Sequence, residues 1–264
     1  MTREPQKVVI LCGGLGTRMR EETEFRPKPM VEVGGRPILW HIMKMYSHHG
    51  YRDFVLALGY KGEIIVDFFE SYRRRCSDYT LTLSDSPDRE YFGHLDDDER
   101  HWRITFGWTG AETMTGGRLR RLRPYLQDGT FLTTYGDGVS DVNIPDVVNF
   151  HRKSGNQATL VGVKLPTTFG VLEEDGGKVT EFREKPVVDG RINGGFFVFE
   201  PSVLELLRGD DEVLEDQPLR TLVQRGQLGV YRHDGFWKCM DTVKDVKAAN
   251  DIWHSGRAPW KLWR

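Results

Sequence analysis

The sequence predicts an α/β fold: a mostly parallel central sheet covered by helices on both faces, passing into a smaller β-rich portion towards the C-terminus. Three observations predict it. Strand-like and helix-like segments alternate through the first half of the chain, the order that builds parallel βαβ units. The first apolar run, Lys7-Val8-Val9-Ile10-Leu11-Cys12, breaks into Gly13-Gly14-Leu15-Gly16, as a buried strand does when it opens onto a tight loop. The second half instead carries several short strand-like runs punctuated by glycine turns.

In order, residues 7–12 read as the first strand, 37–48 as an amphipathic helix and 53–58 as a second strand. A helix is expected over 63–74, where Ile64, Ile65, Phe68 and Phe69 recur on one face. Residues 103–108 and 130–135 are further strands, with a short helix over 117–123 between them. Residues 84–100 are polar and acidic and read as a surface loop, with Asp96-Asp97-Asp98-Glu99 a solvated edge. Short strands follow over 158–165, 170–174, 179–184 and 192–200, around turns at Asp175-Gly176-Gly177 and Asp189-Gly190. Residues 214–225 and 242–254 read as helices. No linker-like composition separates the halves, so one domain over 1–264 is expected.

Composition excludes several function classes. A net charge of −2 in 264 residues gives no electrostatic footprint for nucleic acid or a membrane surface. Neither a secretory apolar region nor a run of membrane-spanning length is present. The three cysteines, Cys12, Cys76 and Cys239, are scattered without ligand spacing, which supports neither a disulfide framework nor a zinc site. A cytoplasmic protein is expected.

The glycine loop carries the first chemistry. Without a Cβ, backbone N–H groups at Gly13, Gly14 and Gly16 can approach an anion closely. Thr17 adds a hydroxyl, Arg18 a guanidinium, and Lys28 an ammonium held between Pro27 and Pro29. The pattern is not the Walker loop, and it lacks the third glycine of the dinucleotide fingerprint. A plain tight turn is the alternative for the glycines alone. With Thr17, Arg18 and Lys28 beside them, the assembly suits a nucleotide triphosphate.

Tyr135-Gly136-Asp137-Gly138 follows a strand, and Asp241 opens the last helix. Asp137 reads as a turn residue or as a Mg²⁺ ligand, since that ion takes one or two carboxylates plus phosphate oxygens. Asp241 reads as a second ligand or as a helix N-cap. Glu184-Lys185-Pro186 repeats the cation-before-proline pattern, and Asn193 offers both donor and acceptor to a hydroxyl-rich ligand. Thr113 to Arg118 form another glycine turn. A guanidinium only donates, so Arg118 facing a base would favour cytosine, whose O2 and N3 both accept. Arg118, Arg120, Arg121 and Arg123 read equally as a solvated helix face.

These segments resemble the sugar-1-phosphate nucleotidylyltransferase family. The likeness rests on LCGGLGTRM, RPKPMVEVGGRPILWHIMKMY, MTGGRL, TYGDGVSD, TFGVL, EKP, INGGFFV, PLRTL and GFWKCMDT, spread over nearly the whole chain. The resemblance implies a Rossmann-like fold with a nucleotide-binding half near 1–145 and a sugar-phosphate half near 146–264. It also implies Mg²⁺, a homo-oligomer, and CTP and glucose 1-phosphate as partners.

Carried onto this chain, Leu11, Cys12, Gly13, Gly14, Leu15, Gly16, Thr17, Arg18 and Lys28 would wrap the nucleotide, with Thr113, Gly117, Arg118 and Gly136. Tyr135, Gly170, Glu184, Lys185 and Asn193 would hold the sugar phosphate, and Asp137 and Asp241 the metal. Arg18, Lys28 and Lys185 would serve catalysis. The same chemistry with UTP, dTTP or another hexose 1-phosphate is the first alternative. A non-catalytic sugar-nucleotide sensor is the second, although it would be expected to lose these charged groups. A dinucleotide-dependent dehydrogenase is disfavoured by the missing glycine.

Overall fold

In the computed structural model, which describes residues 6–263 apart from 94, 97, 165–170 and 184–189, the alternating segments of the first half form the centre of a seven-stranded sheet. Its strands are β1 (Lys7–Leu11), β2 (Asp53–Leu58), β3 (Arg103–Trp108), β4 (Phe131–Tyr135), β5 (Ala158–Val163), β6 (Ile192–Phe199) and β7 (Leu228–His233). Their order across the sheet is β7-β5-β6-β4-β1-β2-β3. All neighbours in β4-β1-β2-β3, and the β5–β7 pair, run parallel. Only β6 is reversed, antiparallel to both β4 and β5. The sheet is therefore mixed and mostly parallel, as expected.

The chain winds outward from β1 to β3, then returns to place β4 on the other side of β1. Ligands of open α/β sheets sit at such a reversal, beyond the carboxyl ends of the strands.

Side-chain alternation along β1 divides the core in two. Val8, Ile10 and Cys12 face one cluster, with α1 (Ile38–His48) lying over them. Val9 and Leu11 face the other, with Val55, Ala57 and Phe197. Leu119 of α3 (Thr115–Arg121) and Leu219 and Leu222 of α5 (Gln217–Gln224) close that side. Burial of each large aliphatic side chain contributes about 1.5–3 kcal/mol.

α2 (Gly62–Glu70) ends sooner than the periodicity predicts, and a separate turn follows at Tyr72–Cys76. The break is at Ser71, whose hydroxyl donates back to the carbonyls of Asp67 and Phe68 at 2.5 and 3.3 Å, a local bond that competes with the helix ladder. Between α3 and α5 lies α4 (Ile144–Ser154), capped by Asn143, whose side chain accepts from the Asp146 N–H. α5 begins three residues later than predicted, because Leu214 and Glu215 are bonded to the start of α3 instead.

The expected loop 84–100 is partly a hairpin, Asp78–Thr82 against Asp88–Phe92. Its acidic run is more than a solvated edge. Asp96 and Asp98 lie 3.1 and 3.7 Å from the ammonium of Lys44, a side chain only 1% exposed. Glu99 accepts from the indole of Trp40 at 2.9 Å. A buried cation needs such partners.

The C-terminal segment folds back on α1. Trp260 is 1% exposed, and Trp253, Trp260 and Trp263 surround the imidazole of His41. Among the described residues no helix is long and apolar enough to cross a membrane.

Candidate active site

The carboxyl ends of β1 and β4 are neighbours, so the two loops that leave them share one rim. Gly136 N–H donates to the Leu11 carbonyl at 3.2 Å. A Cβ at Gly136 would stand 2.7 Å from Pro29 and 2.9 Å from that carbonyl, so only glycine fits. Gly16 turns the first loop with φ +62°, a region open to glycine at no steric cost. Lys28 then arrives on a 3-10 turn, Lys28–Met30, with Pro27 and Pro29 on either side.

A second ladder brings the acids together. Residues 138–140 pair antiparallel with 237–239, and the Met240 N–H donates to the Asp137 carbonyl at 2.8 Å. This sets Asp137 beside Asp241. Lys28 Nζ lies 2.5 Å from Asp137 Oδ2 and 2.6 Å from Asp241 Oδ1, and Arg18 Nη1 lies 2.8 Å from Asp241 Oδ2.

Burial alone would lower the Lys28 pKa, but the two carboxylates hold it above its usual value. Burial would likewise raise that of Asp241, yet Lys28 and Arg18 bring it below the usual carboxylate range. Asp241 is not the N-cap of α6 (Val243–His254). Thr242 and Asp245 form that capping box by themselves, which leaves Asp241 free for the rim.

One ligand atom each from Asp137, Cys239 and Asp241 lie within 4.8 Å of one another. Two carboxylates this close on the rim of a cavity suit a hard divalent cation. Cys239 was not foreseen from the sequence. Burial first, and the neighbouring Asp137 second, push its thiol pKa up, so it stays protonated.

Two cavities meet on this rim. The first, about 280 Å³, is lined by Leu11 to Gly14, Gly16, Lys28, Pro29, Thr113 to Thr115, Arg118 and Tyr135 to Asp137. The second, about 250 Å³, is lined by Arg18, Thr134, Tyr135, Asp137, Gly138, Asn193 to Gly195, Trp237, Cys239 and Asp241. Tyr135 and Asp137 belong to both. A Cβ on Gly195 would meet the Tyr135 ring at 2.5 Å, so this glycine makes room for the shared wall.

A family model described as nucleotidyl transferase matches residues 7–251. The chain belongs to this family. Over 259 residues this nucleotidyl transferase is 47% identical to a glucose-1-phosphate cytidylyltransferase of Salmonella typhi, covering 97% of this chain and 99% of that one. It is 43% identical over 258 residues to a probable glucose-1-phosphate cytidylyltransferase of Bacillus subtilis (strain 168), covering 97% and 100%. In fold it matches a putative glucose-1-phosphate thymidylyltransferase from Bacillus anthracis, with TM-score 0.69, 18% identity and 94% of each chain covered.

Within this nucleotidyl transferase, Leu11, Cys12, Gly13, Gly14, Gly16, Lys28, Thr113, Arg118 and Gly136 line the first cavity together. Arg18 lines the second, with Asn193. Leu15 and Thr17 line neither cavity and are exposed. Gly117 faces elsewhere: a Cβ there would stand 2.5 Å from the Asp210 carbonyl, so its role is to admit the 210–215 segment. Gly170, Glu184 and Lys185 lie outside the described residues.

Arg118 is 4% exposed rather than part of a solvated face. Its terminal nitrogens donate to Thr109 Oγ1 at 2.6 Å and to the carbonyls of Gly110, Gly13 and Ala111 at 2.7, 2.8 and 3.2 Å. Arg120, Arg121 and Arg123 are exposed, and the first two pair with Asp210. Glu215 was missed by sequence reasoning: its carboxylate accepts from Tyr135 and, at 2.8 Å, from Thr115. One acid among Asp210, Asp211, Glu212 and Asp216 ahead of a helix gives no distinctive signal.

Proposed function

We propose that this nucleotidyl transferase moves CMP from CTP onto glucose 1-phosphate, giving CDP-glucose and pyrophosphate. The observation that carries the reading is the pair of cavities joined at Tyr135 and Asp137, with Lys28 at the junction. A nucleotide in the first and a sugar phosphate in the second would meet beside Lys28 and Arg18, whose charges are balanced by Asp137 and Asp241 until phosphates and a metal arrive. The two relatives named as glucose-1-phosphate cytidylyltransferases, matched over nearly their full length, support the choice of substrates.

The attacking phosphate oxygen is already anionic, so no general base is required. The rate then rests on alignment and charge neutralisation. Lys28 and Arg18 offset charge on the triphosphate, and Lys185 is assigned to draw in the sugar phosphate with Glu184 and Asn193. Asp137 and Asp241 would hold Mg²⁺, which when bound supplies further charge neutralisation at the phosphates. Arg118 and Thr113 are assigned to the base, and Gly170 to close approach of the sugar. A sheet that continues through both halves supports one domain over 1–264. The family resemblance supports a cytoplasmic homo-oligomer as the working form.

The test is pyrophosphate release measured for CTP, UTP, dTTP and GTP against a panel of hexose 1-phosphates. Highest kcat/KM with CTP and glucose 1-phosphate is expected. Equal rates with CTP and UTP would remove the base assignment, and no turnover with any pair would remove the reading.

A further inference from the structure

Behind the wall shared by the two cavities lies a carboxylate that lines neither. Glu215 is half-buried and stands just before α5. One of its oxygens accepts from the Tyr135 hydroxyl, and the other accepts from Thr115 Oγ1 at 2.8 Å. Thr115 is the first residue of α3 and lines the nucleotide cavity. The Tyr135 oxygen in turn accepts from Asn193 Nδ2 at 3.3 Å, and Asn193 lines the sugar cavity.

A continuous chain of hydrogen bonds therefore runs from the nucleotide wall to the sugar wall through one carboxylate. The segment carrying it is fixed to α3: the Leu214 N–H donates to Thr115 Oγ1 at 2.9 Å, and the Gly116 N–H donates to the Glu212 carbonyl at 2.9 Å.

We propose that Glu215 is a positioning residue that couples the cavities, so that nucleotide bound against Thr115 sets Tyr135 and Asn193 for the sugar phosphate. The inference rests on the assignment of the cavities made above. With its proton committed to Glu215, the Tyr135 oxygen presents only acceptor lone pairs on the sugar side. A sugar hydroxyl at that point must then donate, while Asn193 Oδ1 is held by the Gly195 N–H at 2.9 Å. Charge-assisted bonds of this kind are about twice as strong as neutral ones. Loss of the carboxylate removes both at once.

The experiment is titration calorimetry of glucose 1-phosphate with and without a saturating non-hydrolysable CTP analogue and Mg²⁺, on wild type, Glu215→Ala and Glu215→Gln. In wild type the analogue should tighten sugar-phosphate binding on the order of tenfold, the usual scale of coupling between two sites. In Glu215→Ala this enhancement should fall to about onefold, with affinity for the analogue alone unchanged. Glu215→Gln keeps the shape but can accept from only one of the two hydroxyls, so it should lie between them.

Wild-type enhancement retained in Glu215→Ala would overturn the proposal. So would equal weakening of both ligands whether or not the other is present, which marks a purely structural role. If wild type binds both ligands without any enhancement, the coupling fails while the site assignment stands. If wild type binds neither, both fail.

Discussion

Arg118 Nη2 donates to the carbonyl of Gly13 at 2.8 Å, and its Nη1 reaches Thr109 Oγ1 and the Gly110 carbonyl just beyond β3. One buried guanidinium thus ties the loop after β1 to the loop after β3. The loop's shape is set from beneath by a cation as well as by its own glycines.

Arg118→Ala should therefore do two things. Stranding several acceptors should cost about 1–3 kcal/mol of stability, the desolvation penalty of unpaired buried groups. It should also reduce discrimination of CTP over UTP by roughly 1–3 kcal/mol if the side chain reads the base. Thermal unfolding and the ratio of kcat/KM values report the two effects separately. Unchanged discrimination with a lowered Tm would make Arg118 a scaffold residue alone.

The loop's glycines should not be equivalent. A Cβ at Gly13 would stand 2.0 Å from Arg118 Nη1, whereas one at Gly14 meets nothing within 4 Å. Gly13→Ala should destabilise by about 1–3 kcal/mol through overpacking. Gly14→Ala should change stability by no more than about 0.5 kcal/mol. Denaturant midpoints for the two variants decide the matter, and equal midpoints would contradict the Arg118 contact.

Asp137→Asn and Asp241→Asn should each lower kcat by on the order of 10²-fold at saturating Mg²⁺, the scale of losing one element of charge stabilisation. Near-normal turnover would remove the metal role. The Lys28–Asp241 pair itself should not titrate near neutrality. Asp241 is held below 3.8, so its contribution is present above that value and lost as pH falls through the depressed pKa. Lys28 is held above 10.5, so its contribution is lost only as pH rises through the elevated pKa. A pH–rate profile flat around pH 7 in these groups is expected.

His41 should make the molecule sensitive to mild acid. Its Nε2–H donates to the Val33 carbonyl at 2.8 Å, and Nδ1 faces the Trp260 indole N–H at 3.4 Å. Burial, with Arg36 nearby, pushes its pKa down from 6.5 to about 4. The unfolded chain binds the proton first, so stability is full above pH 6.5 and declines towards pH 4, by up to ~3 kcal/mol. Tm recorded across that interval should fall in wild type and fall less in His41→Gln. Parallel curves would place the acid sensitivity elsewhere.

The parallel core was legible because Val8 to Leu11 and Phe54 to Leu58 are buried apolar runs ending in glycine loops, and Phe131 to Thr134 is a buried run of aromatic, aliphatic and β-branched residues ahead of a glycine turn. Lys28, Asp137 and Asp241 were legible as types, since few other roles explain a cation between prolines or an acid between glycines. Their meeting was not, because the 138–140/237–239 ladder that joins them spans two three-residue strands with no periodicity to read. Strand β7 was missed for a related reason: Leu228-Gly229-Val230-Tyr231-Arg232-His233 carries polar residues suited to an outer position. The fixed position of Arg118 beneath Gly13, and the carboxylate of Glu215 behind Tyr135, depend on segments about a hundred residues away, which no local pattern encodes.

The reversal of β6 has a consequence for where Asn193 stands. A parallel strand would bring its end to the rim, but β6 brings its beginning, so Asn193 reaches the rim where the strand starts. Its place there is set by pairing of Phe196 with Thr134 and Phe197 with Thr133. A slip of one residue would carry Asn193 about 3.4 Å along β4 and turn it to the opposite face. On the proposed assignment of Asn193 to the sugar phosphate, fidelity towards one hexose would be stored in the alignment of two backbones, and substitutions deep in Phe196 to Phe199 would alter it without touching the lining of that cavity.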